Sequence, residues 1–496
     1  MEKSKTPVLA MYDVRGIQKY IFQTPKVKDA IGASFIVENI IARALQKAVG
    51  MLKVENVELE WSSSCCPNEY EENDILDVQV LYIGGGNAYV LYRDRELCVE
   101  INKKMAKHII EETYSLQLAV AIVDKTDSYV ADYTEIMKEM NRIKANMVES
   151  KPLGTLPIAK VDEDSVSIEQ VKKLESEREK REHVSSRVKE FDTYITEKGK
   201  DSTIAVVHID GNNMGLRIRK QVEGLECYKD AVNKMRQISF NINKAYKDVF
   251  EEMEKKFRQD KKARVLEILV AGDDITYVCN GQIALESVRY YAKEISKRTM
   301  NGTTDEASIK EYGFSVCAGI AYIGSHFPFI DAYEIAEACC ESAKHAAKKE
   351  EYVIDGNIGN WVDYQIVKSI HAKDLDGIRE NELVSSTGEY LTYRPYYIAT
   401  EQHDLSAKVK DASLNQLIKN IAFFKTAKVP NSFKKQLRNT YSLGEMQVRI
   451  LADFLESRQH KMPDGTYEMY CKKDEKKVAK WYDALELMSY VTLEEK

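Results

Sequence analysis

The chain has 496 residues, a formal net charge of −7 and 44% hydrophobic residues. This length predicts two to four domains with their own cores, and the negative charge disfavours broad electrostatic binding of nucleic acid. No stretch approaches the roughly 18 consecutive apolar residues of a membrane span, and the N-terminus has no signal-peptide pattern. We therefore expect a cytoplasmic protein without a membrane partner.

The nine cysteines include no Cys-x-x-Cys pair, although two pairs are directly adjacent in the chain. These spacings fit neither a zinc ribbon nor a disulfide framework. We expect most of them to be reduced thiols in the core or on the surface. The sequence leaves open the role of Cys65 and Cys66, which lie in a polar segment.

The N-terminal part of the chain has the order β-α-β-β-α-β, which is a ferredoxin-like order. Its first strand ends at Asp13, and its hairpin carries Gly86 and Asn87. The predicted elements are a strand over 8–12, helices over 18–22 and 33–48, a strand pair over 78–90, a helix over 95–111 and a strand over 116–123.

A charged segment follows this first unit. Residues 159–191 are rich in Glu, Lys and Arg and lack an apolar stripe over most of their length. That pattern is typical of a solvated helix or a mobile linker. We assign residues 151–200 to this linker.

The second unit opens with a long apolar run over residues 203–209, which predicts a buried central strand. The run ends in Asp210, at the carboxyl end of the strand, where ligands bind in open α/β sheets. Gly211 and Gly215 bracket a loop that can bring backbone N–H groups close to phosphate. We expect a helix from about Glu223.

Two adjacent acids, Asp273 and Asp274, follow Gly272 at the tip of a hairpin predicted for residues 265–279. Strand alternation sends the two side chains to opposite faces unless the turn rotates them. Mg²⁺ is usually held by one or two carboxylates together with substrate phosphates. With Asp210 the acids therefore predict a site for Mg²⁺ or Mn²⁺ beside a nucleoside triphosphate, whereas the hairpin alone would also fit an ordinary β-turn.

The second unit repeats the order of the first. Aligning the two hairpins puts Gly86 and Asn87 opposite the two acids, while Asp13 is retained opposite Asp210. One copy can therefore hold two metal ions, and the other could cradle a nucleotide with its backbone and Asn87. The elements after the hairpin are a helix over 283–297, a strand over 314–323 and a helix over 332–349.

The pattern changes after Tyr352. Helical spacing over 414–426, 432–440 and 443–457 predicts a small, mainly helical domain at residues 371–496. Domains of this kind usually serve for docking.

Taken together, the ordered motifs resemble those of the large polymerase/cyclase-like subunit of type III CRISPR effector complexes, or a stand-alone relative without the HD nuclease domain. The resemblance spans roughly residues 8–400. It is carried by Asp-Val-Arg-Gly-Ile-Gln at 13–18, Gly-Gly-Gly-Asn at 84–87, Asp-Gly-Asn-Asn-Met-Gly at 210–215, Ala-Gly-Asp-Asp at 271–274 and Ser-Ala-Lys at 342–344.

The resemblance implies an α+β fold in which two ferredoxin-like (βαββαβ) palm domains, residues 1–150 and 201–370, face each other. It implies that the second palm converts ATP into a cyclic oligoadenylate messenger in antiviral defence, using two Mg²⁺ or Mn²⁺ ions. The implied partners are other type III CRISPR subunits, with guide RNA and target RNA reached through them. A stand-alone synthase would instead form a homo-oligomer.

Carried over residue by residue, the resemblance makes Asp210, Asp273 and Asp274 the catalytic and metal-binding set. Lys344 takes the place of a helix lysine that meets the triphosphate, and Gly86 or Asn87 would contact a second ATP. The nucleotide-binding residues would be Gly211, Asn212, Asn213, Met214, Gly215, Gly272, Lys344, Gly86 and Asn87.

Two departures from the family pattern concern this set. Ala271 stands where the family has Gly, and Asn212 stands where it has Asp, which would weaken one metal contact. Because the sequence starts directly at the first palm and lacks the cysteine zinc element of many relatives, we do not expect DNA cleavage.

Other functions fit the same residues. The site could make a cyclic dinucleotide or adenylylate a small molecule, and the chain could be a non-catalytic, nucleotide-binding structural subunit of an RNA-guided complex. A diguanylate-type (GGDEF-like) cyclase shares the palm, but the tandem palms disfavour it. His208, two residues before Asp210, is expected to be a core or supporting residue rather than a catalytic one.

Overall fold

The computed structural model describes residues 6–24, 26–61, 75–84, 86–148, 167–183, 203–225, 227–258, 264–354, 356–368, 374–401, 403–426, 430–473 and 475–492. Cys65 and Cys66, and most of the predicted linker, lie outside these residues.

Within the described ranges, every helix is too short or too polar to cross a membrane.

The first palm is built on a five-stranded sheet with the order β2-β3-β4-β1-β5. Strand β1 is apolar at successive positions because its two faces enter different cores: Val8 and Ala10 lie in one, Leu9 and Met11 in the other. The elements are β1 (Val8–Arg15), α1 (Ile17–Phe22), α2 (Val27–Leu52), β2 (Val57–Glu58), β3 (Val78–Gly84), β4 (Asn87–Tyr92), α3 (Arg95–Thr113), β5 (Gln117–Asp124) and α4 (Tyr129–Asn146).

One helix, α5 (Ile168–His183), precedes the second palm. The second palm then contains β6 (Thr203–Gly211), α6 (Met214–Val222), α7 (Tyr228–Arg258), β7 (Val265–Ala271), β8 (Asp274–Asn280), α8 (Gly281–Ile295), α9 (Glu306–Tyr312), β9 (Val316–Gly324), α10 (Phe329–Ala347), a 3₁₀ helix (Glu350–Tyr352), β10 (Val353–Ile354), β11 (Asn357–Ile358) and β12 (Asn360–Ile366).

Strand β6 lies between β9 and β8 in a six-stranded sheet, which confirms the prediction of a buried central strand. The prediction of a helix from about Glu223 was wrong. Asn213 adopts a left-handed conformation directly after the strand, so that the chain turns at once into α6. Gly224, also at positive φ, follows the end of that helix, and α7 begins at Tyr228.

The two palms share one topology. The order β7-β8-β6-β9 in the second palm repeats β3-β4-β1-β5 in the first, with antiparallel pairing throughout. Both hairpins have tips of two residues, because Gly84 pairs with Asn87 and Ala271 pairs with Asp274. Each outer strand also has a bulge at the same distance from its tip, between Val80 and Tyr82 and between Glu267 and Leu269.

The palms pack on each other through equivalent elements. Helix α2 of the first palm contacts β7 of the second, and α7, its counterpart, contacts β3. Arg236 of α7 is buried there and donates to the carbonyl oxygen of Leu81 at 3.0 Å. The ring of Phe22 stacks on that of Tyr333, with centroids 3.5 Å apart. The predicted fold class, with two palms facing each other, is confirmed.

Helix α5 differs from the expected solvated linker. It packs along α2 at Gly32, where a Cβ atom would lie 1.8 Å from the carbonyl oxygen of Lys173. Lys173 and Glu169 form a 2.9 Å ion pair with both side chains 1% exposed, and Lys173 Nζ also donates to the carbonyl of Tyr20 at 2.8 Å. The sequence did not reveal this contact, because the buried face of the helix carries polar residues, including the Lys173–Glu169 ion pair, in place of an apolar stripe.

The C-terminal part contains the three predicted helices and also contributes to the second palm. Strand β13 pairs with β12, so the palm sheet takes its edge strand from beyond residue 370. The domain boundaries themselves stay a prediction. The elements are α11 (Leu375–Glu382), β13 (Tyr396–Ile398), α12 (Leu414–Thr426), α13 (Asn431–Ser442), α14 (Glu445–Ser457), β14 (Tyr470–Lys473), β15 (Lys476–Ala479) and α15 (Tyr482–Leu487).

Candidate functional site

The carboxyl end of β6 meets the tip of the β7–β8 hairpin. Asp210 lies near the end of β6, and Gly211 follows it against the hairpin. A Cβ atom on residue 211 would lie 2.8 Å from Cβ and 2.8 Å from Oδ2 of Asp273. Only glycine therefore lets the two segments approach this closely. This approach brings Asp210 and Asp273, which are more than sixty residues apart in sequence, into one cleft.

The turn presents both hairpin acids to the same cleft. Gly272 has a φ of 64°, Asp273 completes the turn, and Asp274 is the first residue of β8. The charge of Asp210 acts on both acids. The rotation of the turn, which strand alternation alone does not predict, accounts for this arrangement.

Burial and mutual repulsion hold the hairpin acids partly protonated. Burial, followed by the charge of Asp210, raises the pKa of Asp273 to about 6. Burial raises the pKa of Asp274 to about 8, with further contributions from Asp210, Asp273 and Glu337. The cleft therefore favours the entry of positive charge.

Lys344 of α10 supplies one positive charge. Its Nζ contacts Oδ2 of Asp210 and donates to Oε1 of Glu341 at 2.8 Å, and its side chain is 16% exposed. Burial alone would lower the pKa of Lys344, but the hydrogen bonds that it donates to Asp210 and Glu341 raise this pKa overall. The first palm has the same pair of elements, because Lys144 of α4 donates to Oδ2 of Asp13 at 2.5 Å.

His208 supports the cleft from within the core. Its Nδ1 lies 3.1 Å from Oγ1 of Thr276 and 3.5 Å from Oδ1 of Asp274. Burial lowers the pKa of His208 to about 4, so the ring is neutral near pH 7. This placement agrees with the expected role as a core or supporting residue.

The residues of the predicted phosphate loop take different positions. Asn212 is buried and donates from Nδ2 to Oγ of Ser315 at 3.2 Å and to the carbonyl of Gly359 at 3.1 Å. Its amide therefore holds the neighbouring segments together, and the expected nucleotide contact of Asn212 stays a prediction. Asn213 precedes α6, and Met214 is 9% exposed in the core.

Gly215 lies in the first turn of α6, and within the described ranges no atom lies within 4 Å of the position that its Cβ would take. Its backbone is thus the most accessible part of the loop. In the first palm, Gly86 has a φ of 78° and Asn87 pairs with Asp13 across β1 and β4. These two residues lie at the hairpin tip of the degenerate copy and outside the acid cluster.

Sequence reasoning missed three residues around the cleft. Burial and the charge of Asp273 raise the pKa of Tyr82, which reaches across from the first palm, to about 12. Glu337 of α10 acts on Asp274 and is hydrogen-bonded to Gln18 of α1. Tyr246 of α7 lies beside Gly211. All three depend on tertiary contacts, which local sequence patterns do not reveal.

Among the described residues, no group of three or more His, Cys, Asp or Glu side chains already has the geometry to hold a metal ion. The donor set nevertheless fits a divalent cation. Three carboxylates share the cleft, and Oδ1 of Asp274 is buried without a hydrogen-bond partner in the described part of the chain. Oxygen donors of this kind suit Mg²⁺ and Mn²⁺.

Two ferredoxin-like sheets of equal topology, one with an acid-bearing hairpin, define a tandem-palm protein. Residues 203–353 match the family model described as Cas10/Cmr2, second palm domain. The chain therefore contains a second palm of the Cas10/Cmr2 type.

Solved structures share the overall fold. The crystal structure of Csm1 in T.onnurineus has 12% sequence identity and a TM-score of 0.52, covering 97% of this chain and 69% of that chain. The crystal structure of the apo Csm1–Csm4 cassette has 12% identity and a TM-score of 0.52, covering 98% and 70%. No curated protein matches the sequence. The resemblance to the large subunit of type III CRISPR complexes is confirmed: the chain is Cas10-like.

The acid cluster predicts a pH-dependent stability. Since the folded pKa values of Asp273 and Asp274 exceed the ordinary value of 3.8, the folded state binds more protons than the unfolded state between about pH 4 and 8. Stability from these groups is therefore lost as the pH rises through that window. We expect the metal-free chain to melt about 2 °C or more lower at pH 8 than at pH 5.5, by calorimetry.

The matched variant is Asp274→Asn, which keeps the shape and removes the charge. It should flatten the dependence, and Mn²⁺ should raise the Tm of the wild type more at pH 8 than at pH 5.5. Equal pH slopes in the wild type and the variant would contradict the raised pKa of Asp274.

Proposed function

We propose that the chain is a nucleotidyltransferase that converts ATP into a cyclic oligoadenylate-type second messenger. The observation that supports this most strongly is the convergence of Asp210, Asp273 and Asp274 beside Lys344 on a Cas10/Cmr2-type second palm. An acid cluster of this kind costs stability in the absence of a cation, because like charges share a poorly solvated cleft. A palm with a purely structural role would gain nothing from such a destabilising cluster.

The three aspartates would hold two Mg²⁺ or Mn²⁺ ions. Bound there, the ions would lower the pKa of the attacking ribose hydroxyl and neutralise charge on the α-phosphate. The remaining work of the protein is positioning, as in other phosphoryl transfers. Lys344 would be free to meet the triphosphate once cations balance the charge of its partner Asp210. The open backbone of Gly215, at the positive end of α6, faces phosphate favourably.

The first palm has the same strand order as the second but lacks the two hairpin acids. Its hairpin carries Gly86 and Asn87 in place of the two acids, while the Asp13–Lys144 pair is kept. It would therefore bind a second ATP as acceptor, with Gly86 and Asn87 against ribose or phosphate. Each chain would then have one catalytic site, in the second palm, and one acceptor site, in the first palm.

The partners follow from the relatives. One solved structure of similar fold is a Csm1–Csm4 cassette, and we assign this chain a Csm4-like neighbour, with guide RNA and target RNA bound through the assembled complex. A homo-oligomer is the corresponding arrangement for a stand-alone synthase.

The test is product analysis. The purified chain, and the complex with which it co-purifies, are incubated with each of the four nucleoside triphosphates and Mg²⁺ or Mn²⁺, and products are identified by mass spectrometry. We expect cyclic oligoadenylates from ATP alone. A cyclic dinucleotide or an adenylylated small molecule would replace the proposed product with that one. Failure of both preparations to turn over any nucleotide would reject the enzyme, and nucleotide binding without turnover would leave a non-catalytic, nucleotide-binding structural subunit.

A further inference from the structure

Helix α7 carries a polar stripe toward the acid-bearing hairpin. Ser239, Asn243 and Tyr246 are spaced four and three residues apart, so they share one face of the helix. Ser239 hydrogen-bonds to Tyr82, and Oδ1 of Asn243 lies 3.6 Å from the position that a Cβ of Gly272 would take. The stripe interrupts a helix whose buried positions are otherwise mainly apolar.

The hydroxyl of Tyr246 lies at the inner end of this stripe. A Cβ on residue 211 would be 2.8 Å from this hydroxyl and 2.8 Å from Oδ2 of Asp273, so the two groups are neighbours across Gly211. The Tyr246 side chain is fully buried, and its hydroxyl has no hydrogen-bond partner in the described part of the chain. The charges of Asp273 and Asp210 both act on the phenol.

An unpartnered buried hydroxyl is costly, whereas phenylalanine would fill the same space without that cost. The hydroxyl therefore has a use that the metal-free arrangement does not display. Oδ2 of Asp273, which lies beside the same position next to Gly211, is an acceptor close to this hydroxyl. A carboxylate offers two oxygens, so that one can face a cation while the other accepts from a phenol.

We propose that Tyr246 is a positioning residue for the metal site: its hydroxyl donates to Asp273 and fixes that carboxylate toward the divalent cation. The inference rests on the proposed function, because it takes Asp273 as a metal-binding residue. Hydrogen bonds that orient metal-binding groups are worth about 10- to 100-fold in metal affinity. Tyr246 itself contacts neither the cation nor the nucleotide.

The test uses Mn²⁺ alone, followed by electron paramagnetic resonance and calorimetry, so that binding is read without turnover. Tyr246→Phe should weaken Mn²⁺ binding about tenfold or more while keeping or raising the Tm, because a buried unpartnered hydroxyl is removed. The matched control is Tyr322→Phe. Tyr322 is also buried in the core of the second palm with an unpartnered hydroxyl among the described residues, but it lies on β9 away from the acids.

Each outcome decides one question. Unchanged Mn²⁺ affinity in Tyr246→Phe overturns the inference, and so does an equal loss in Tyr322→Phe, which would mean a general effect of the core. A large fall in Tm for Tyr246→Phe also overturns it, because the hydroxyl would then serve the fold. If the wild type binds Mn²⁺ no better than Asp273→Ala/Asp274→Ala, the metal site of the proposed function fails instead.

Discussion

The double variant Asp273→Ala/Asp274→Ala is expected to lose product formation from labelled ATP by about 1,000-fold or more, as removal of a catalytic set does in other enzymes. The reason is that both acids lie in one cleft with Asp210 and that Ala offers no oxygen to a cation. The Tm of the metal-free variant should equal or exceed that of the wild type, because two partly buried, mutually repelling carboxyl groups are gone.

Chromatographic quantification of products and calorimetry on the same preparation separate loss of chemistry from loss of fold. The charge control is Asp453→Ala, which removes an exposed acid of α14, remote in sequence from the cleft, and should leave turnover unchanged. Product formation by the double variant at the wild-type rate would end the assignment of these two residues.

The second large effect concerns stability. Gly32→Val should destabilise the chain by about 3 kcal/mol or more, because even a Cβ atom at residue 32 would lie 1.8 Å from the carbonyl oxygen and 2.7 Å from the carbonyl carbon of Lys173. These are backbone atoms, so no side-chain rotation relieves the contact. The helices α2 and α5 would separate, and the buried Lys173–Glu169 pair would open to water.

Gly50→Ala, in the same helix, is the matched control. Within the described ranges nothing lies within 4 Å of its Cβ position, and replacing a helical glycine by alanine stabilises by about 0.5–1 kcal/mol. Denaturant unfolding of both variants gives the comparison. Should Gly32→Val unfold at the wild-type midpoint, α5 would not be packed on α2 as described.

Local patterns were sufficient for the parts of the fold that bury apolar residues. The run over 203–209 is the inner strand β6 of the second sheet, and the hairpin over 265–279 forms the neighbouring strand β8 and the edge strand β7. The acids stand where those apolar runs stop, which is why Asp210, Asp273 and Asp274 were visible from the sequence.

Tertiary contacts between polar groups were not predictable in the same way. Helix α5 looked solvated because its buried face consists of Glu169, Lys173, Ser176 and Glu177, which carry no apolar period. Asn212 looked like a ligand because its position follows the strand end, yet its amide is used by Ser315 and Gly359. Tyr246 is 36 residues from Asp210 in the sequence, and only the packing of α7 brings it to the cleft.

The contact between the palms is reciprocal. Helix α2 on β7 and helix α7 on β3 are the same contact made twice, with each palm presenting its long helix to the first hairpin strand of the other. Interfaces in which each partner presents the same patch to the other are those of symmetric homodimers. The chain thus holds within one polypeptide a contact of the kind that two copies of one palm would make. Because the two palms are covalently joined and only the second has the two hairpin acids, each molecule carries one such acid cluster.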